Sequence, residues 1–163
     1  TMESLGIDMP KSEIANSVEE AEEIAQRLDY PLVVRPAYTM GGTGGGFVYN
    51  LEELRTIVAR GLAASLVGQV LIEQSVLGWE ELELEVVRDA KNQMITVCFI
   101  ENVDAMGVHT GDSFCTAPML TISPELQHKL QDYSYRIVEA IEVIGGTNIQ
   151  FAHDPKKIGR AHV

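Results

Sequence analysis

The chain has 163 residues, 45% hydrophobic and 22% charged, with 24 acidic against 12 basic side chains and a net charge of -12. A nucleic-acid binder needs a basic face to displace counterions from phosphate, so this balance argues against one. No apolar run approaches the length of a membrane span, and the N-terminus TMESLGIDMPKS lacks the basic-then-apolar order of a secretory signal. Cys98 and Cys115 make neither a disulfide framework nor a metal spacing, which suits a reduced, cytoplasmic setting.

Residues 17–28, SVEEAEEIAQRL, read as a helix. Ser17 and Glu20 fit a capping box, and Val18, Ala21, Ile24, Ala25 and Leu28 share one face. PLVVRP, between two prolines, suits a buried strand. The glycine-rich stretch Gly41–Gly46, broken only by Thr43, follows and leads into the strand-like FVYN. Asn50 with Glu53 marks a second helix over 51–64, with Leu51, Leu54, Ile57, Val58 and Leu62 as its stripe. VLIEQSV (70–76) is a further apolar run.

In EELELEVVRD the alternation is strict. Leu82, Leu84 and Val86 point one way and Glu81, Glu83 and Glu85 the other. DAKN (89–92) is a turn, and QMITVCFIENV returns as the second arm of a hairpin. DAMGVHTGDS (104–113) is a polar loop. A long helix begins after Ser123 with Pro124 at its first position; Leu126, Leu130, Tyr133, Ile137, Ile141 and Ile144 form its stripe, and Gly145–Gly146 should end it. TNIQFAHD and GRAHV read as a last hairpin, in which Gln150 faces away from Ile149 and Phe151. The stop inside that strand fits either a short terminal strand or an excised piece.

Four stretches could carry chemistry. Glycines let main-chain N–H groups approach a ligand with no Cβ in the way, and successive N–H groups can cup phosphate oxygens. Arg35 beside them could add a charge-assisted bond. The pattern is neither a P-loop nor a dinucleotide fingerprint, and a flexible hairpin loop is the plain alternative. The acid ladder reads as a solvated face, or else supplies one carboxylate for the two hydroxyls of a ribose. His109 lies among small and polar residues, as a ligand contact or a surface histidine. Gln150 is an exposed strand glutamine or a hard-cation oxygen.

Taken together, PLVVRPAYTMGGTGGGFVYN, LIEQSVLGWEELELEVVRD, IENVDAMGVHTGDS and GGTNIQFA resemble the large-chain family of carbamoyl-phosphate synthetase, in that family's order and nearly its spacing. TMGGTGGG and HTGDS are similar to its N-terminal half, which phosphorylates bicarbonate. The resemblance implies an α+β, ATP-grasp fold in which two lobes hold ATP, here a small lobe over 1–70 with a glycine-rich lid and the C-terminally truncated start of a large lobe over 71–163.

It also implies roles. Arg35, Gly41 and Gly42 would contact ATP phosphates, and Gln74, Val76 and Leu77 would border the base. Glu81 would bind the ribose. Gly107, Val108 and His109 would meet the nucleotide, and Gln150 would help bind Mg²⁺ (or Mn²⁺). Arg35 and His109 would be the catalytic pair, neutralising and positioning. The main carboxylate metal ligand is expected beyond Val163, so negligible turnover is expected of this chain alone. The implied partners are bicarbonate, ATP, the rest of the large chain and a glutaminase small subunit, in arginine or pyrimidine synthesis. The competing readings are another ATP-grasp carboxylase or ligase of the biotin carboxylase type, which should carry a lysine beside the glycines, and a non-catalytic nucleotide-binding module.

Overall fold

A computed structural model describes residues 2–39, 43–108, 113–155 and 161–162. The chain divides into two compact units, Pro10–Ser75 and Thr1–Met9 with Val76–Val163. The boundary expected after residue 70 falls inside a strand that belongs wholly to the first unit, and the first nine residues join the second.

The first unit runs β1 (Ser12–Ala15), α1 (Val18–Leu28), β2 (Leu32–Pro36), β3 (Gly46–Val48), α2 (Leu51–Ala64) and β4 (Val70–Gln74). Its antiparallel sheet has the order β1-β4-β2-β3. Both helices start where their caps dictate. Ser17 Oγ accepts from Glu20 N–H at 3.1 Å, and Asn50 Oδ1 from Glu53 N–H at 2.9 Å. The Glu20 carboxylate reaches back one residue further than the capping box requires, to Asn16 N–H at 2.8 Å. The α1 stripe and Leu54 and Val58 of α2 close on Leu32, Val34, Val48, Val70 and Ile72. Leu51 is exposed and does not extend that stripe. Arg55 of α2 pairs with Glu22 of α1.

The second unit runs β5 (Glu80–Arg88), β6 (Met94–Asn102), β7 (Cys115–Thr116), α3 (Pro124–Ala140), β8 (Gly145–His153) and β9 (Ala161–His162). The sheet order is β7-β6-β5-β8-β9, antiparallel throughout. β5 lies between the two strands it pairs with along its length. Its Leu82, Leu84 and Val86 meet Phe151 and Ile149 of β8 and Leu130, Ile137 and Val138 of α3 in one core. The N-terminal segment seals it with Ile7, and the Arg136 guanidinium donates to Leu5 C=O. Both cysteines are free.

Helix α3 stops five residues before the glycines expected to end it. Val143 N–H bonds Val138 C=O at 3.2 Å and Glu142 N–H bonds Glu139 C=O at 3.1 Å. Glu142 takes φ 56, so it occupies the left-handed position of a Schellman cap. Ile141 and Ile144 are therefore exposed rather than part of the stripe, and Gly145–Gly146 open β8.

Candidate nucleotide site

In the first unit, Arg35 leaves β2 with its side chain 64% exposed and its Nη2 3.4 Å from Glu73 Oε1. An exposed pair this long holds the guanidinium only weakly and leaves it available to an anion. Arg35, Pro36, Thr39, Gly45 and Gly46 line a cavity of about 390 Å³. Gly41 and Gly42 lie outside the described residues. The rest of the glycine stretch is not slack. At Gly44, with φ 82, a Cβ would stand 2.8 Å from Ala64 Cβ, and Arg60 Nη2 donates to Gly45 C=O at 3.3 Å. Gly44 thus serves close packing on α2, a structural reason for glycine there that acts without any ligand. Gln74 ends β4 opposite Leu32, its backbone N–H taken by Lys11 C=O at 2.8 Å.

In the second unit, the face of β5 turned away from α3 is not solvated as a plain acid ladder would be. Glu81 is 7% exposed and Glu83 9%. Glu83 accepts from Asn102 Nδ2 of β6 and Asn148 Nδ2 of β8, each at 2.9 Å, and Asn148 also donates to Glu85 at 2.8 Å. Gln150 is exposed and stands directly opposite Glu83 in the β5–β8 register. Glu81 has no hydrogen-bond partner among the described residues. Burial pushes its carboxyl above the usual range, and the Glu83 charge adds to this.

The loop before β7 is bound to the segment before β5. Gly78 N–H donates to Met106 C=O at 3.0 Å and Met106 N–H to Trp79 C=O at 2.8 Å. Gly107, with φ 109, lies so close to Leu77 that a Cβ would overlap Leu77 Cδ1. The structure thus brings Leu77, Gly107 and Val108 together and seats Glu81 and Gln150 on one sheet face. His109 lies outside the described residues.

Sequence reasoning missed the bracing residues Glu83, Asn102 and Asn148. The alternation of Asn148 and Gln150 along TNIQFA was a usable signal, but only once the β5–β8 register paired it with the glutamates. No group of three or more His, Cys, Asp or Glu among the described residues could hold a metal ion. Glu83 is already committed to two amides, so Gln150 offers one neutral oxygen and the described residues do not by themselves make a magnesium site.

This pair of α+β units is the ATP-grasp fold. Over 99% of the chain, it superposes on the biotin carboxylase domain of Hydrogenobacter thermophilus 2-oxoglutarate carboxylase with TM-score 0.77 and 21% identity, covering 36% of that chain. It matches D-alanyl-alanine synthetase A of Vibrio cholerae with TM-score 0.77 and 15% identity, covering 51% of that chain.

Sequence narrows the class. Residues 1–160 match the family described as carbamoyl-phosphate synthase L chain, ATP binding domain. The chain is 52% identical over 156 residues to the carbamoyl phosphate synthase large chain of Archaeoglobus fulgidus and 50% identical over 157 residues to that of Thermotoga maritima, in each case across at least 95% of this chain and 14% of the relative. The chain belongs to the carbamoyl-phosphate synthase large-chain ATP-binding domain family.

Proposed function

We propose that the chain supplies nucleotide-binding parts to the carboxyphosphate-forming, N-terminal half of a large chain that acts as an ATP-dependent ligase. In this reading a bicarbonate oxygen attacks the γ-phosphorus of ATP, the bond to the β-phosphate oxygen breaks, and ADP and carboxyphosphate result. Ammonia from a glutaminase subunit then displaces phosphate to give carbamate, in a cytoplasmic arginine or pyrimidine pathway. Positioning and charge stabilisation carry most of phosphoryl transfer. Arg35, Gly41 and Gly42 would neutralise the phosphates, and His109 would position rather than deprotonate. Gln74, Val76 and Leu77 would border the base, and Gly107 and Val108 would meet the nucleotide. Gln150 would give one oxygen to Mg²⁺, whose carboxylate ligands the described residues do not supply. The chain alone is therefore expected to bind nucleotide without turning it over.

The observation that carries this reading is Glu81, a buried carboxylate without a hydrogen-bond partner among the described residues, in a chain about half identical to the large chains. A buried acceptor of this kind is satisfied by two hydroxyl donors, and a vicinal diol supplies them. The test is calorimetric titration with ATP and with 2′,3′-dideoxy-ATP. The wild-type chain should bind ATP roughly ten-fold more tightly than the dideoxy analogue, the worth of hydrogen bonds to a charged group. Glu81→Gln should erase most of that preference. Equal binding of both nucleotides by the wild type would remove Glu81 from the ribose.

A further inference from the structure

A cavity of about 440 Å³ opens on the α3 face of the second unit, the opposite side of the sheet from Glu81 and Glu83. Ile122, Leu126 and Pro155 give it apolar walls, and its polar end is the cross-strand pair Glu80 and His153. His153 Nδ1 lies 2.7 Å from Glu80 Oε2, with the His153 side chain 14% exposed. A carboxylate only accepts, so the proton of that bond is assigned to Nδ1, and in the neutral ring Nε2 carries a lone pair. Glu80 Oε1 has no hydrogen-bond partner among the described residues. With the ring neutral, both remaining functions of the pair are acceptors.

The opposite wall is the start of α3, where the Leu126 and Gln127 backbone donors are already used and the Lys129 ammonium also lines the cavity. Leu126 N–H bonds Ser123 Oγ at 3.2 Å and Gln127 N–H bonds Ser123 C=O at 3.0 Å. The Glu125 carboxylate takes its own N–H and the Ser123 hydroxyl, which hold it below the usual carboxylate range. The Lys129 ammonium lies 5.4 Å from the Tyr133 ring centroid. A donor group on an apolar body finds acceptors at the Glu80–His153 end and hydrocarbon around it, and the Glu80 and Glu125 carboxylates outnumber the Lys129 ammonium in the described lining.

We propose that this cavity binds an amphipathic organic cation, a primary ammonium or amidinium on an apolar body of about ten heavy atoms. The head would donate to Glu80 Oε1 and His153 Nε2, and the body would lie on Ile122, Leu126 and Pro155. Charge-assisted bonds in a half-buried site are the strong ones, and a chain of net charge -12 draws cations toward it. Glu80 and Glu81 are consecutive on β5, so such a ligand would sit back to back with the proposed ribose acceptor. The site does not depend on the nucleotide reading.

The test is NMR titration of the chain with benzamidine, benzamide and benzoate. Benzamidine should saturate at about millimolar concentration, with shifts centred on Thr121, Leu126 and His153, as expected for a ligand of this size. Benzamide should bind at least ten-fold more weakly, and benzoate should not saturate. Glu80→Gln should weaken benzamidine by about ten-fold. Comparable binding of benzamidine and benzamide by the wild type, preferred binding of benzoate, or shifts confined to other surfaces would overturn the proposal. The three-ligand comparison on the wild type decides the matter even if the variant folds poorly.

Discussion

Glu81 and Glu83 project two residues apart from one face of β5 and are both buried, yet among the described residues only Glu83 finds hydrogen-bond partners, the side-chain amides of Asn102 and Asn148 at 2.9 Å each. The two carboxylates therefore answer to opposite physics. Glu83 is a brace across three strands, and Glu81 is a desolvated acceptor kept in place by its neighbours' packing.

The pH dependence of Glu81 follows from its raised pKa. A carboxyl whose folded pKa lies above its unfolded one stabilises the fold fully below the unfolded pKa, and that contribution is lost as pH rises through the folded value. Glu81→Gln should therefore melt higher than the wild type at pH 7, with the gap closing toward and below the ordinary carboxylate range. Thermal melts from pH 3.5 to 8 test this, and a lower melting temperature for the variant at pH 7 contradicts it. Stability gained on removing this carboxylate is the trade expected if Glu81 is kept for a ligand.

Asn102→Leu should cost about 1–3 kcal/mol, because it leaves Glu83 Oε1 buried without its donor. Urea denaturation measures the loss. A change below a few tenths of a kcal/mol would mean that water replaces the amide.

Glu101 should show the opposite pH behaviour to Glu81. Burial pushes its carboxyl up, but the Thr121 hydroxyl and the Thr121 and Leu120 N–H groups together outweigh burial and hold it down. A lowered folded pKa gives stability that is present above the unfolded pKa and lost as pH falls through the folded one. Glu101→Gln should destabilise by about 1–2 kcal/mol at pH 7, with the difference shrinking in acid. Denaturation midpoints of both chains at pH 7 and pH 3.5 test the sign.

Glu142→Gly should raise stability by about 1 kcal/mol, since Glu142 holds the left-handed cap position that costs a side chain about that much. A decrease in urea midpoint would show that its side chain contributes more than its backbone costs.

Gly44→Ala should destabilise by about 1–3 kcal/mol, because φ 82 and a Cβ 2.8 Å from Ala64 leave no relaxed arrangement. Gly46→Ala, whose Cβ would meet Ile57 at 3.4 Å, should cost less. The ranking in denaturant separates glycines needed for packing on α2 from those that could be kept for a ligand.

Most of the local architecture was legible because it is written locally. Ser17, Asn50 and Ser123 cap helices by bonds within three residues, and the Leu82–Leu84–Val86 alternation follows from the two-residue period of a strand. The end of α3 was misread because glycines advertise a cap and Glu142 does not, although Glu142 supplies it. Whether the glycine stretch cups a ligand or packs was open in the sequence, which cannot show that Ala64 and Arg60 of α2 lie against Gly44 and Gly45.

Composition, helix caps and strand periods, together with four motifs in order, were enough to assign an α+β chain and its family, since each depends on residues close in sequence or on their order alone. Which glutamate is braced depended on the pairing of β5 with β6 and β8, which brings Asn102 and Asn148 to Glu83 from 19 and 65 residues away. Register across strands is set by packing the Leu82 face onto α3. The chemistry of the opposite face is settled only when that packing is.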